Sequence, residues 1–538
     1  MTDQYWYKHA IFYEVYVRAY KDSNGDGQGD LRGLIQKLDY LAELGVDCIW
    51  VMPIYPSPLK DDGYDISDYY EVLPDYGNIQ DFKELIQAAH EKGLRVIADL
   101  VLNHVSDQHP WFQAAIRSRT SPYRDYFVWS DSDKVYPDAR IIFIDTERSN
   151  WTFEPNTGQY YWHRFYSSQP DLNYEHPAVQ EEMIKVMRFW LEMGIDGFRA
   201  DAVPYLFEQE GSNCENLPAT HDFLKKIRKI VDQEYPDRIL LCEANQWPKD
   251  VVHYFGKGDE FHMAFQFPVM PRIFMGLMDG EAEPIHWALS QTGKIPDNCQ
   301  WCTFLRNHDE LTLEMVTDEE RKAMWDHYAP QKRMRSNLGI RRRLATLLDN
   351  DRRKIELAYS ILFTIPGTPI IYYGDEIGMG DNIHLHDRNG VRTPMQWDPS
   401  TQAGFSTSAK LFSPVVKADG FDPMCVNVKD QQAQPDSLWH VIRNMIHTRK
   451  LHPSLANEQI EWVHSENPHL AIYKRMSDET EIVVVQNLSP EEQTTDVPDG
   501  LDLGAYAELI HSTVGHLFQS GNKLTLAPYE YFWGCKSK

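Results

Sequence analysis

The chain has 538 residues, of which 42% are hydrophobic and 25% are charged, so it can bury a large core and is not disordered, collagen-like or a coiled coil as a whole. Its 53 Lys and Arg residues stand against 80 Asp and Glu residues, which gives a formal net charge of −27. Because an acidic surface of this size repels phosphate groups, we expect neither nucleic acid nor membrane as a partner, and small-molecule partners stay open.

The N-terminus and the cysteines indicate a cytoplasmic protein. Residues 1–8 contain no apolar run of the kind found in a secretory signal peptide. The seven cysteines are odd in number and scattered, without the pattern of a disulfide framework. The most apolar stretch, 355–373, contains Glu356, Pro366 and Pro369, so it predicts a buried helix and a strand instead of a membrane span. A homo-oligomer stays open.

Short apolar runs rich in β-branched residues alternate with amphipathic stretches along most of the chain. The apolar runs predict strands at 11–17, 48–52, 95–102, 197–200, 239–242, 263–267, 302–305 and 369–373. The amphipathic stretches predict helices at 31–44, 79–92, 179–193, 219–231 and 355–365. Continuous apolar strands between helices are typical of a parallel sheet that is covered on both faces. Eight such units favour a closed (β/α)8 TIM barrel of the α/β class.

Two stretches interrupt this alternation, and the pattern changes near the C-terminus. Residues 105–174 are rich in aromatic residues, Pro and Ser, and predict a subdomain inserted after the third strand. Residues 314–353 are densely charged and predict a helical lid insertion, with a solvated helix pair as the alternative. Short alternating strands at 460–463, 470–476, 481–486 and 523–526 predict a C-terminal antiparallel β-sandwich domain over 451–538. The catalytic barrel would then comprise 1–104 and 175–450.

Charged residues lie at the ends of several predicted barrel strands. Active sites of these barrels form where the C-terminal strand ends meet. Asp201 ends the fourth strand, Glu243 follows the fifth and Asp309 follows the seventh. Arg199 lies two residues before Asp201 on an extended strand, so both side chains point to the same side. The sequence therefore predicts one site that contains three carboxylates.

The surroundings of these carboxylates suggest a role for each. Arg199 would lower the pKa of Asp201, as a carboxylate nucleophile needs. The apolar run before Glu243 would raise its pKa, as a general acid needs. Asp309, beside His308, could stabilise developing positive charge. An acid, a nucleophile and a stabiliser together describe retaining glycoside chemistry.

An oxygen-rich loop follows the first predicted strand. Oxygen ligands alternate around glycines there, at Asp22, Asn24, Asp26, the carbonyl of Gln28, and Asp30. Hard oxygens in a tight loop predict a Ca²⁺ site. The loop is not an EF-hand, because its twelfth position is Gly33. A turn without a metal is the alternative.

Four ordered motifs resemble the signature regions of the α-amylase superfamily of retaining glycosidases and transglycosidases. They are the runs 99–104 and 197–201, Glu243, and the run 306–309. The runs 63–69 and 392–397 resemble its α-glucosidase-type branch. Within that branch, 210–220, 372–382 and the charged insertion resemble the transglucosylases that interconvert maltose and trehalose.

The resemblance implies site residues and ligands. It implies Asp201 as nucleophile, Glu243 as acid/base and Asp309 as transition-state stabiliser. Around a glucose ring it places Asp61, Tyr64, His104, Phe165, Gln169, Arg199, His308 and Arg392. It also implies a second Ca²⁺ near Asn103, Asp171, Tyr205, Leu206 and Glu208. The expected ligands are maltose or trehalose and structural Ca²⁺, with no organic cofactor.

Two other function classes compete with an intramolecular transglucosylase that hydrolyses a minor share of its substrate to glucose. An α-glucosidase or oligo-1,6-glucosidase would share every catalytic residue, so this hydrolase stays open. A non-enzymatic binding protein on the same barrel would have lost some of the three carboxylates, and all three are present. A transglucosylase needs a pocket closed against water, and we expect 211–218 and 314–353 to close it.

Overall fold

The computed structural model describes residues 4–457, 459–513 and 517–538. Eight parallel strands close into a barrel, in which neighbouring strands follow each other along the chain and the eighth pairs with the first. They are Phe12–Val15, Cys48–Val51, Arg95–Val101, Gly197–Asp201, Ile239–Cys242, Met263–Phe265, Gln300–Phe304 and Thr368–Tyr372. The predicted TIM barrel is therefore confirmed. Residues 1–3, 458 and 514–516 of the predicted domains lie outside the described residues.

Buried apolar side chains account for the barrel strands. Every residue of the second strand, Cys48–Val51, and of the fifth strand, Ile239–Cys242, is buried. Strands that are covered on both faces have no polar side to present to solvent. Glu14, Asp99 and Arg199 are nonetheless almost completely buried within their strands. A charge in such a place needs a partner, and each of these three has its partners around the pocket described below.

Helices cover the outside of the barrel. The α-helices of the described residues are Val17–Tyr20, Leu31–Ile35, Leu38–Leu44, Ile79–Glu91, Pro110–Ala115, Pro177–Glu192, Pro218–Glu234, Pro248–Val251, Val269–Asp279, Glu283–Gln291, Asp318–Tyr328, Leu344–Leu347, Arg352–Thr364, Val428–Ala433 and Leu438–Leu451. The prediction of one continuous helix over 31–44 is wrong, because the chain forms two helices there, Leu31–Ile35 and Leu38–Leu44. Lys37 leaves the helical conformation at φ −110° and places its ammonium group 4.0 Å from the centre of the Trp397 ring.

Two segments extend the barrel loops at the C-terminal ends of the strands. After the third strand, Trp129–Ser130, Gln159–Trp162 and Trp151–Glu154 form a three-stranded antiparallel sheet. After the seventh strand, the helix Asp318–Tyr328 is followed by a hairpin of Arg335–Ser336 and Gly339–Ile340. The insertion is therefore helical at Asp318–Tyr328 and in the short helix Leu344–Leu347, with a hairpin between them. Asn337, at φ +48°, makes the tight turn of this hairpin.

The C-terminal part of the chain forms two antiparallel sheets, which confirms the predicted β domain. The larger sheet has the order Ile460–Trp462, Leu470–Met476, Thr480–Asn487, Tyr531–Ser537 and Ala507–His511. The smaller sheet has the order Gln493–Asp496, Lys523–Leu526 and Phe518–Ser520. Val483 and Leu524, one from each sheet, belong to the shared apolar core. Among the described residues, no helix is both long and apolar enough to cross a bilayer.

Candidate active site

The three carboxylates predicted from the strand ends lie in one pocket at the C-terminal mouth of the barrel. Asp201 ends the fourth strand, and Glu243 and Asp309 follow the fifth and seventh strands directly or within a short loop. The strand register places Asp99 opposite Arg199 and Arg199 opposite Leu241, so the charged ends converge. The pocket is lined by Asp61, Tyr64, His104, Ile142, Phe143, Phe165, Asp201, Ala202, Pro204, Tyr205, Glu243, Asn245, Phe267, Asn307, Asp309, Glu310, Thr312, Glu314 and Arg388.

A single guanidinium group connects two of these carboxylates. Arg199 Nη1 donates to Asp201 Oδ1 at 2.5 Å and to Asp99 Oδ1 at 2.6 Å. Arg199 Nη2 contacts Glu243 Oε1. The backbone N–H of Ala202 donates to the other oxygen of Glu243 at 3.1 Å. Asp201 and Glu243 are therefore held side by side, as the close carboxyl pair of a retaining glycosidase requires.

The pKa values of this pair differ, and burial, which the prediction for Asp201 did not include, outweighs the predicted effect of Arg199. Burial raises the pKa of Asp201 to about 6, because it outweighs the lowering effect of Arg199, and the neighbouring charge of Asp99 adds to the rise. Burial raises the pKa of Glu243 to about 8, which confirms the predicted direction. Between these values Asp201 is ionised and Glu243 is protonated. This is the division of states that a nucleophile and a general acid need.

Asp309 stays ionised because cations surround it. His308 Nε2 lies 3.1 Å from Oδ2, while Arg388 Nη1 and Arg392 Nη2 lie 2.5 Å and 3.1 Å from Oδ1. Burial alone would raise the pKa of Asp309, but His308 and the two arginines hold it well below its usual range. A permanent negative charge in the pocket can stabilise an oxocarbenium-like transition state.

The residues predicted to surround glucose divide into two layers. Four of them line the pocket: Asp61, Tyr64, His104 and Phe165. The other four lie behind the wall and are almost fully buried: Gln169, Arg199, His308 and Arg392. Gln169 Nε2 donates to Asp61 Oδ2 at 3.0 Å and lies 3.2 Å from His104 Nε2. The second layer therefore orients the first.

Sequence reasoning missed several wall residues, of which Arg388 and Asn245 stand out. Arg388 contacts Asp309 and also Asp61, so it crosses the pocket from one carboxylate to another. The sequence offered one indication of its role, namely that Arg388 lies four residues before Arg392, a predicted site residue. Asn245 lies two residues after Glu243, and its buried Oδ1 accepts no hydrogen bond among the described residues. Residues two apart on an extended backbone point to the same side, which is the argument that paired Arg199 with Asp201. Applied to Glu243, the same argument would have identified Asn245.

Three acceptor oxygens without donors lie where the second Ca²⁺ was predicted. Asn103 Oδ1, Asp171 Oδ2 and Glu208 Oε1 are buried and have no hydrogen-bond partner among the described residues. Burial raises the pKa of Asp171 to about 8, and burial together with neighbouring Asp171 raises the pKa of Glu208 well above its usual range. Tyr205 and Leu206, whose carbonyls complete the predicted set, form the turn just before Glu208. Buried acceptors of this kind require a partner.

The loop predicted to bind the first Ca²⁺ has its oxygens in hydrogen bonds of its own. Asp22 accepts from the backbone N–H of Gly25 at 2.7 Å and of Gly27 at 2.8 Å. Asp30 accepts from Gly33 N at 2.6 Å, which caps the following helix. The side chains of Asn24 and Asp26 likewise accept backbone N–H groups, and the Gln28 side chain bonds to Arg18 and Asp75. Within the described ranges, no three His, Cys, Asp or Glu side chains cluster as a metal site.

Comparison with known proteins agrees with the geometry of the site. The family profile described as "Alpha amylase, catalytic domain" matches residues 14–458, and "Maltogenic Amylase, C-terminal domain" matches residues 460–533. The chain is 54% identical to "Trehalose synthase/amylase TreS" of Mycobacterium tuberculosis (strain ATCC 25618 / H37Rv), over 99% of this chain and 90% of that protein. It is 51% identical to "Trehalose synthase" of Pimelobacter sp. (strain R48), over 98% and 95% of the two chains.

A solved structure shares the whole architecture. The crystal structure of the trehalulose synthase MutB from Pseudomonas mesoacidophila MX-45 superposes with a TM-score of 0.81 and is 29% identical in sequence. The match covers 99% of both chains. The likeness of fold therefore extends beyond the barrel to nearly the whole length of both chains.

Proposed function

This chain belongs to the trehalose synthases of the α-amylase family, and we propose from that premise how its residues convert maltose into trehalose. The observation that carries the proposal is the contact of one guanidinium group, that of Arg199, with both Asp201 and Glu243. The contact holds the two carboxyl groups beside each other, and burial keeps the pKa of Glu243, at about 8, above that of Asp201, at about 6. Asp61, Tyr64, His104 and Phe165 would contact the glucose unit that is transferred.

The reaction is a double displacement on one anomeric carbon. The Asp201 carboxylate attacks this carbon, the glycosidic C–O bond breaks, and the proton of Glu243 goes to the departing oxygen. The released glucose then attacks the same carbon with its own anomeric hydroxyl. The proton of that hydroxyl returns to Glu243 and the bond to Asp201 breaks. Two inversions leave the transferred unit in its α configuration, as trehalose requires.

The orphaned oxygens of Asn103, Asp171 and Glu208 support a Ca²⁺ ion behind the pocket wall, with backbone carbonyls of Tyr205 and Leu206. Calcium prefers hard oxygen ligands, and two buried carboxylates near each other need a cation to ionise. The ion would fix the turn that carries Tyr205, which lines the pocket. For the loop after the first strand, the all-oxygen set of Asp22 and its neighbours supports a further structural Ca²⁺ ion.

We further propose that the protein is cytoplasmic. A homo-oligomer stays a prediction.

Product analysis on maltose tests the proposed function. The protein is incubated with maltose and the products are separated by chromatography. Trehalose as the main product, with a minor share of glucose, is the expected result. Glucose alone would show a hydrolase of the α-glucosidase or oligo-1,6-glucosidase type, and unchanged maltose would contradict any glucosyl transfer.

A further inference from the structure

Glu14 is a buried carboxylate that belongs to neither the pocket wall nor any predicted role. It lies on the first barrel strand, Phe12–Val15, and is 0% exposed. One of its oxygens, Oε1, contacts His308 Nδ1, and the other has no hydrogen-bond partner within the described residues. A buried ionised carboxylate is strongly destabilising unless a cation pairs with it. His308 is therefore the group that justifies a charge at this position.

The imidazole of His308 is fixed on every side. Its Nε2 lies 3.1 Å from Asp309 Oδ2, on the side opposite Glu14. The ring of Tyr64 stacks on it with centroids 5.2 Å apart and an angle of 14°. The Trp50 ring meets it edge-on at 5.7 Å. Because the ring cannot rotate in this stack, its two nitrogens keep their separate partners.

We propose that Glu14 is a positioning residue that holds His308 as an imidazolium with Nε2 directed at Asp309. Nδ1 contacts Glu14 Oε1 and Nε2 lies within ion-pair distance of Asp309 Oδ2, so a ring that carries a proton on both nitrogens pairs with both carboxylates. A neutral ring would leave either Glu14 Oε1 or Asp309 Oδ2 without a proton from His308. The proposal rests on the proposed function only for its kinetic consequence, since the contact itself is independent of substrate.

The charges around His308 favour this state. Glu14 approaches from the first strand, Asp309 from the same loop, and Asp99 acts on it from the third strand. Burial lowers the pKa of His308, but Asp309 and Glu14 outweigh burial and raise it to about 9. The imidazolium is thus present below that pH and is lost as the pH rises through it. The other neighbouring groups are Tyr64 and Arg392, whose Nε donates to the His308 carbonyl at 2.9 Å.

The role of Glu14 in catalysis would be exerted through Asp309. A donor at Oδ2 leaves Asp309 oriented so that its charge faces the anomeric carbon. Glu14 would act like the buried carboxylate behind the histidine of a catalytic triad. Such a carboxylate sets the orientation and protonation of the ring without taking the proton itself. At metal sites the loss of an outer partner of this kind typically costs about 10–100-fold in affinity or activity, and we expect a loss of similar size here.

Titration of His308 by NMR, with the histidine rings isotopically labelled and the signal assigned with His308→Gln, tests the proposal. In the native protein the signal should stay at the imidazolium position between pH 6 and 8. In Glu14→Gln it should convert to the neutral form at a lower pH, and kcat on maltose should fall about 10–100-fold. An unchanged titration in Glu14→Gln overturns the proposal.

Glu376→Gln is the matched control. Glu376 is also 0% exposed, also has one oxygen without a hydrogen-bond partner among the described residues, and bonds to Tyr13, the neighbour of Glu14. Its substitution should leave the His308 titration unchanged. An equal shift in Glu376→Gln would overturn the proposal, because the effect would then be general to buried carboxylates.

Glu14→Asp tests whether a negative charge at this position is sufficient or whether the carboxylate must also contact His308 Nδ1. It keeps the carboxylate but withdraws it from Nδ1, so the His308 titration should lie between those of the native protein and Glu14→Gln. If Glu14→Gln does not fold, an unchanged titration in Glu14→Asp overturns the proposal. If maltose gives no trehalose while the titrations behave as expected, the proposed function fails and the positioning role of Glu14 stands.

Discussion

Arg140 and Glu314 lie 174 residues apart in sequence and form an ion pair at 2.6 Å beside the pocket. Arg140 comes from the segment inserted after the third strand, and Glu314 lines the pocket at the start of the insertion after the seventh. The same guanidinium group contacts Glu215, in the loop after the fourth strand, at 2.8 Å. One arginine therefore joins three loops beside the pocket.

Weakening this junction should favour hydrolysis. Isomerisation and hydrolysis share one glucosyl-enzyme intermediate, and trapped glucose competes with water only while the pocket stays closed. Glu314→Gln should therefore raise the ratio of glucose to trehalose about two- to tenfold, since a pair of this exposure contributes on the order of 1 kcal/mol. The ratio is measured by chromatography after incubation with maltose. Glu234→Gln, which removes an exposed pair with Arg188, is the control. An unchanged ratio in Glu314→Gln would show that this junction does not exclude water.

The pH dependence of kcat/KM should be bell-shaped. Asp201 must be ionised to attack, so activity rises as the pH passes about 6. Glu243 must be protonated to act as acid, so activity falls as the pH passes about 8. The two apparent pKa values belong to the coupled pair. With α-glucosyl fluoride, whose leaving fluoride needs no proton, the fall near pH 8 should disappear, and any remaining fall should lie near pH 9, where His308 loses its proton. A persistent fall near pH 8 would argue against Glu243 as the acid.

Asp201→Asn should remove the nucleophile without unfolding the barrel. An amide cannot form the glycosyl ester, so activity on maltose should fall by at least about a thousandfold. An activated fluoro-sugar, followed by peptide mass spectrometry, should label the native protein at Asp201 and leave the variant unlabelled. A label on any other residue would refute the assignment. Arg199→Ala should be nearly as damaging, because three carboxyl groups, those of Asp99, Asp201 and Glu243, lose their shared cation.

Calcium removal should lower the melting temperature while activity at moderate temperature is retained. An ion that binds only the folded state adds stability that a chelator removes. Asp171→Asn should reduce the response to chelator by disabling the site behind the pocket wall, and Asp22→Asn should do so for the first loop. Thermal unfolding with and without chelator measures both. If the chelator changes the melting temperature of the native protein and of both variants by the same amount, both sites are contradicted. Crystals soaked in Ca²⁺ that show no electron density for an ion at either site would contradict them as well.

The sequence by itself determined the barrel and the three carboxylates, because both follow from local rules. Buried parallel strands need continuous apolar runs, so the eight strands are visible as runs in the sequence. Strand ends of a barrel meet at one mouth, so Asp201, Glu243 and Asp309 could be brought together before their distances were known. The residues between strands follow no such rule, which is why the hairpin at Asn337 was predicted as helix.

Tertiary structure alone decided how charge is shared around the pocket. Arg199 lowers the pKa of Asp201 as expected, but burial outweighs it, and the fold also gives Arg199 the buried Asp99 and the half-buried Glu243 as further partners. The contacts of Arg388 with Asp61 and of Glu14 with His308 likewise join residues hundreds of positions apart. A sequence shows which residues carry charge, but burial and competition for a cation depend on distances that exist only after the chain has folded.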